Sequence, residues 1–257
     1  MDKNKNIVLF VNDSYFSYLL AKKMIESNHK KISLIIFSKS TVSSTRKILD
    51  IYKKVTKEYF LYRVFIQILS KTFYRKQSLE FLANTYKIRK CYVKNSYDLK
   101  DKIDKNSVAF AFNFDLIIKK DVLSKFENGI YNIHASKLPK DKGISPVLWA
   151  FARGDEAIWT TIYKMNEGVD SGPIVKQVQI LVDQNDTSFS LYRKVCIESG
   201  RVLNDIVNLI LTKQIILLEQ SSEVKSNYFS WPDKKFSLMM KKSNRKLIKI
   251  KDFLIKN

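Results

Sequence analysis

An α/β fold, with a mostly parallel sheet flanked by helices, is predicted by three features of the 257-residue sequence. The first is a strand–helix–strand succession. Ile7 to Val11 is a continuous β-rich apolar run, Tyr15 to Ser27 carries Leu19, Leu20, Met24 and Ile25 at helical spacing, and Ile32 to Phe37 is a second short apolar run. Lengths of this kind suggest a βαβ unit. The second is another buried strand, Ser107 to Phe112, followed by a loop and a helical segment. The third is scarcity of breakers: 6 Gly and 4 Pro leave little room for long structureless linkers.

Between the first strand and helix, Asn12-Asp13-Ser14 suits a turn that caps the helix and leaves backbone donors for a phosphate. No glycine-rich fingerprint stands there, which disfavours a dinucleotide site. Thr45 to about Phe73 predicts one long basic helix with Ile48, Ile51, Tyr52, Val55, Tyr59, Val64, Ile68 and Leu69 turned to the core. A membrane-surface role is the alternative for this stretch. A helix is expected from Lys120 to Asn128-Gly129, then a strand over Ile130 to Ile133. Thr160 to Met165 and Ile174 to Leu181 read as a strand pair. Asp186-Thr187 suits the cap of a helix running through Leu191, Val195, Val202 and Ile206 to about Leu211. We expect a catalytic domain over residues 1–212 and a short C-terminal extension over 213–257 that contains Tyr228-Phe229-Ser230-Trp231-Pro232.

A hydrophobic fraction of 45% with 12% aromatics is that of a globular chain, not a disordered one. The net charge of +21 is mostly Lys spread along the whole length, so it reads as a solvated basic surface that attracts phosphorylated substrates. Nucleic acid is disfavoured as a partner. Cys91 and Cys196 match no metal spacing and read as reduced core thiols; no metal is expected. With no signal-like start and no membrane-length apolar stretch, a soluble cytoplasmic protein is expected.

Of the two histidines, His29 lies in a polar stretch and reads as a surface residue. His134 follows a predicted strand in Asn132-Ile133-His134-Ala135-Ser136, where alternation puts Asn132 and His134 on one side. An amide donor beside an imidazole suits an oxyanion and a moving proton, and equally suits a satisfied, partly buried pair. The surroundings are more specific. Asn132-x-His134-x-Ser136-x-Leu138-Pro139 is followed by Gly143, and later by Gly168-Val169-Asp170-Ser171-Gly172-Pro173. Over residues 106–182 this resembles the folate-dependent formyltransferases, which act on glycinamide ribonucleotide, methionyl-tRNA and nucleotide-linked sugars.

That resemblance implies a Rossmann-like sheet, 10-formyltetrahydrofolate as formyl donor, and direct attack of the acceptor amine with Asn132, His134 and Asp170 as the catalytic triad. It puts folate against Asn113, Phe114, Asp115, Leu116 and Ile117 and against Glu167, Gly168 and Val169, with Leu116 and Val169 on the pterin faces. Asn12, Ser14, Lys137 and Lys142 are the residues expected to meet the acceptor. Lys137 and Asp141-Lys142 depart from the family pattern at this loop. A nucleotide-linked amino sugar is the favoured acceptor, for surface polysaccharide such as the O-antigen of lipopolysaccharide. Short C-terminal additions suit the sugar enzymes, and too few residues follow Leu211 for the C-terminal barrel of the methionyl-tRNA enzymes. Methionyl-tRNA and glycinamide ribonucleotide are the alternatives within the chemistry, and a basic RNA-binding protein is the alternative outside it. An exposed C-terminal hairpin or helix would suit a homodimer.

Overall fold

The computed structural model describes residues 7–38, 52–53, 55–72, 74–95 and 103–253. Strands β1 (Ile7–Val11), β2 (Ile32–Ser38), β3 (Lys90–Val93), β4 (Val108–Phe112) and β5 (Ile130–His134) run parallel; β7 (Ala157–Lys164) and β8 (Ile174–Leu181) run antiparallel at one side. Their order is β3-β2-β1-β4-β5-β7-β8. This is the mostly parallel, Rossmann-like sheet expected, and the order reverses between β1 and β4. A separate two-stranded sheet joins β6 (Asp141–Gly143) to β9 (Asn227–Phe229).

The apolar runs follow from burial on both faces. Ile7, Leu9 and Val11 enter one core and Val8 and Phe10 the other, so β1 has no polar face to alternate with. Helix α1 (Tyr15–Asn28) begins where Ser14 Oγ accepts from Ser17 N at 3.2 Å. It packs in the larger core with the long helix α6 (Ser188–Leu211), which Thr187 and Ser190 start as a reciprocal capping box. The helices meet closely at Gly200, where a Cβ would lie 2.2 Å from Leu20 O.

Two helical expectations are corrected. The first part of the long basic pattern lies outside the described residues, and its second part is a separate helix, α2 (Lys57–Lys71), started by Thr56 Oγ1. Only Tyr59, Tyr62 and Leu69 of α2 are buried, whereas Ile68 is exposed, because the helix rests on the body along a narrow stripe. After the short α3 (Leu79–Thr85), the helix expected up to Asn128 is only α4 (Lys120–Leu123). Beyond it the bonds tighten to Lys125 N→Val122 O and Phe126 N→Leu123 O, and these turns deliver Phe126 beneath the sheet, 5.8 Å from the Phe10 ring. Burying an aromatic ring outweighs continuing a weakly favoured helix.

The C-terminal residues pack back onto the body. Helix α5 (Pro146–Arg153) carries Trp149, which stacks on Phe229 at 5.2 Å and donates from Nε1 to Ser230 O. Phe236 of α7 (Lys234–Lys242) meets the same indole edge-on at 5.6 Å. Among the described residues, no helix is long and apolar enough to cross a membrane.

Candidate active site

β5 brings Asn132 and His134 to one face of the sheet, two residues apart. The antiparallel neighbour β7 sets Tyr163 opposite Asn132 and Thr161 opposite His134. Asp170 arrives from the β7–β8 connection. There Asn166 Oδ1 accepts from Gly168 N at 3.1 Å and from Ser171 Oγ at 2.8 Å. The turn closes with Asp170 in a left-handed conformation, φ 49°. Gln220 Nε2 pins this connection from the C-terminal side, donating to Asp170 O and Gly172 O at 3.1 and 2.8 Å.

The carboxylate of Asp170 is held at both oxygens. Oδ1 accepts from the Tyr163 hydroxyl at 2.9 Å and Oδ2 from Gly143 N at 2.9 Å. His134 Nε2 lies 3.7 Å from Oδ2 and 3.3 Å from Asp141 O. Both neighbours of that nitrogen are acceptors, so Nε2 is the nitrogen that carries a proton. Asn132 Nδ2 donates to the Tyr163 hydroxyl at 2.9 Å. His134 and Asp170 are buried and Asn132 is half-buried. Burial, and then the Asp170 charge, push the Tyr163 hydroxyl well above the usual tyrosine range, so it stays a donor.

Asp141 shapes the loop between His134 and Gly143. Its carbonyl accepts from Ser136 Oγ at 2.5 Å, and its carboxylate takes Arg153 Nη2 at 3.0 Å and Asn227 Nδ2 at 3.3 Å. The departure noted at Asp141 in the sequence is therefore an anchor joining α5 and β9 to this loop. The peptide before Pro139 is cis.

The other expected residues fall into three groups. Asn12, Ser14, Asn113 and Asp115 meet at the ends of β1 and β4, where the strand order reverses. Asn12 Oδ1 accepts from Ser17 Oγ at 2.7 Å and its Nδ2 faces Asp115 Oδ1 at 3.4 Å, while Asn113 is bound to Ser17 Oγ and Tyr192 Oη at 3.2 and 2.8 Å. These side chains are engaged with one another, which leaves mainly backbone groups for a ligand. Nearby, Phe114 meets Phe10 edge-on at 5.4 Å and Leu116 packs partly into the smaller core, whereas Ile117 and Val169 are 77% and 56% exposed. Lys120 bonds Glu167 at 2.7 Å and ties the two expected folate loops together. Lys137, by contrast, stands 4.4 Å over the Trp159 ring and lines a cavity of about 600 Å³ with Pro139, Asp155 and Val224. Lys142 sits on β6 opposite Tyr228.

Sequence reasoning missed Tyr163, the group that joins Asn132 to Asp170. Its one signal was cross-strand register, and that required β7 to be placed beside β5 rather than only beside β8.

Residues 89–207 match the family model for formyl transferases. That segment, just under half of the chain, is similar to formyl transferases, and the three clustered residues Asn132, His134 and Asp170 lie within it. The chain is 33% identical over 159 residues to the bifunctional polymyxin resistance protein ArnA of Wigglesworthia glossinidia brevipalpis, covering 60% of this chain and 23% of that one. It is 34% identical over 107 residues to the methionyl-tRNA formyltransferase of Myxococcus xanthus (strain DK1622), covering 42% and 34%. The chain thus spans well under half the length of these curated relatives. The fold is shared with a crystal structure of WlaRD, a sugar 3N-formyl transferase in the presence of dTDP and 5-N-formyl-THF. That structure superposes with a TM-score of 0.62 at 21% identity, over 88% of this chain and 70% of that one.

Proposed function

We propose that this chain is an N-formyltransferase that moves the formyl group of 10-formyltetrahydrofolate to the amine of a nucleotide-linked amino sugar. On this reading it works in the cytoplasm, in the making of surface polysaccharide. The observation that carries the reading is the convergence of Asn132, His134 and Asp170 on one face of the sheet at β5, an amide donor and a carboxylate joined through Tyr163 with an imidazole 3.7 Å from the carboxylate.

The loops beside this group fit a flat, polar-edged ring. Exposed Ile117 and Val169 offer apolar surface, and Lys120 with Glu167 joins the loops that carry them. Backbone groups of 113–117 and 167–169 would bind the donor. Bound there, the folate supplies an activated formyl group, whose carbon–N10 bond breaks as a carbon–nitrogen bond forms to the acceptor amine, which loses one proton while N10 gains one. Asn132 donates a hydrogen bond to the formyl oxygen as that oxygen gains charge, an effect typically worth about 100- to 1000-fold in rate. His134, when it carries a second proton, supports the same oxygen with its positive charge. Asp170, fixed by Gly143 N and Tyr163, orients the imidazole and takes up the amine proton through water.

A sugar acceptor is supported by the fold shared with a sugar 3N-formyl transferase in the presence of dTDP, and by the exposed Tyr228, held beside Lys142 on the β6–β9 sheet. Methionyl-tRNA is the second reading, favoured by the 34% identity to the Myxococcus enzyme. Formyl transfer to a panel of UDP- and dTDP-linked amino sugars, compared between wild type and His134→Ala, tests the proposal. Turnover on one sugar, lost in the variant, is the expected result. Activity on methionyl-tRNA alone would keep the chemistry and replace the acceptor. Transfer to no acceptor, without folate binding, would overturn both.

A further inference from the structure

Tyr163 is buried to 2% exposure with its hydroxyl inserted between Asn132 and Asp170, one bond of 2.9 Å on each side. The direction of those bonds is dictated by the groups at the ends. An ionised carboxylate only accepts, so the hydroxyl proton goes to Asp170. The hydroxyl oxygen then needs a donor, and Asn132 has to present its NH2 rather than its carbonyl. An amide offers two orientations of nearly equal shape; the hydroxyl selects one of them. One Nδ2 hydrogen is used by Tyr163, and the second is left for a ligand oxygen. At the other end, Oδ1 is occupied by Tyr163, so Oδ2 is the oxygen facing both Gly143 N, at 2.9 Å, and His134 Nε2, at 3.7 Å.

We propose that Tyr163 is a positioning residue for formyl transfer, setting the amide orientation of Asn132 and the presented carboxylate oxygen of Asp170 through one hydroxyl. The proposal rests on the reading of this site as a formyl-transfer centre. It adds a fourth member whose sequence position, six residues after Ala157 at the start of β7, lies between the two motif segments that contain the other three. The chemistry explains why a hydroxyl is required: a methyl or a bare ring edge of equal size would fill the space and orient neither neighbour.

Tyr163→Phe removes one oxygen and leaves the ring in its packed place. In the wild-type background it is expected to lower kcat about 10- to 100-fold, with KM for the folate changed by no more than about twofold. In an Asn132→Ala background the same change should lower kcat by a smaller factor, because the amide it orients is gone and only its bond to Asp170 remains. Equal losses in both backgrounds would overturn the positioning role. A measurement without acceptor separates this outcome from failure of the transferase reading. In NMR spectra of the intact protein, Tyr163→Phe should shift the Asn132 side-chain NH2 signals and the Asp170 carboxyl carbon signal. If wild type transfers formyl to nothing but these two signals move, the oriented network stands and the assigned reaction falls. Signals unmoved by Tyr163→Phe sink the network itself.

Discussion

The backbone N–H of Gly143 donates to Asp170 Oδ2 at 2.9 Å, so a carboxylate delivered by the β7–β8 connection is fixed by a residue of the loop after β5. Gly143 is in turn covered by β9, pairing with Phe229. Its φ is +94°, and a Cβ there would fall 2.3 Å from Phe229 O, which is backbone and has no rotamer to yield. Gly143→Ala therefore combines a left-handed strain of about 1–2 kcal/mol with displacement of β9. We expect a lower unfolding midpoint together with a loss of turnover, because the N–H that holds Asp170 moves with the loop. Thermal unfolding and kcat measured on one preparation check both.

Asp170→Asn keeps the shape of the side chain and removes its charge. Tyr163 loses its anionic acceptor, and one of the two amide atoms confronts either Gly143 N or the Tyr163 hydroxyl with a donor. Turnover should fall by about 100-fold or more with little change in unfolding midpoint. A midpoint that falls sharply while the surviving folded protein retains its kcat would mean that Asp170 serves the fold alone.

Stability should decline above about pH 9. Burial pushes the Cys196 thiol up from its ordinary 9.0, and it likewise pushes the Tyr62 and Tyr192 hydroxyls up from 10.0. Their folded values exceed the unfolded ones. The stabilising difference is therefore complete below the unfolded values and is lost as the pH rises from them towards the folded values. Denaturant midpoints between pH 7 and pH 10.5 should fall, starting near the thiol's ordinary value. Cys196→Ala should delay that onset towards the tyrosine range, even if its midpoint is lower throughout.

Gly200→Ala should separate α1 from α6. The added methyl would approach Leu20 O to 2.2 Å, and neither helix backbone can yield locally. A loss of about 1–3 kcal/mol is expected from overpacking, measured by chemical denaturation, with the Asn132–Tyr163–Asp170 group undisturbed on the other side of β5. A neutral result would show that the helices slide apart freely.

Much of this was legible along the chain. Buried parallel strands need unbroken apolar runs, so Ile7–Val11 and Val108–Phe112 declared themselves, and Thr187 marked the start of α6 through its capping chemistry. Strand alternation alone puts Asn132 and His134 on one side. The helix expected from Lys120 to Asn128 failed because local propensity competed with burial of Phe126, a contact with a residue more than a hundred positions away. Leu116 packs partly against the smaller core while its neighbour Ile117 is exposed, a division that no local pattern announced.

The sequence by itself determined the strand and helix alphabet, the pairing of amide and imidazole on β5, and the turn chemistry that throws Asp170 out of its connection. These depend on residues a few positions apart, where covalent geometry and capping decide. Only the tertiary structure decided that Tyr163 bridges Asn132 to Asp170, that Arg153 and Asn227 anchor Asp141, and that β9 closes over Gly143. Each of these is set by which strands lie side by side and in what register. That choice is made by packing the whole core, and no short stretch of chain encodes it.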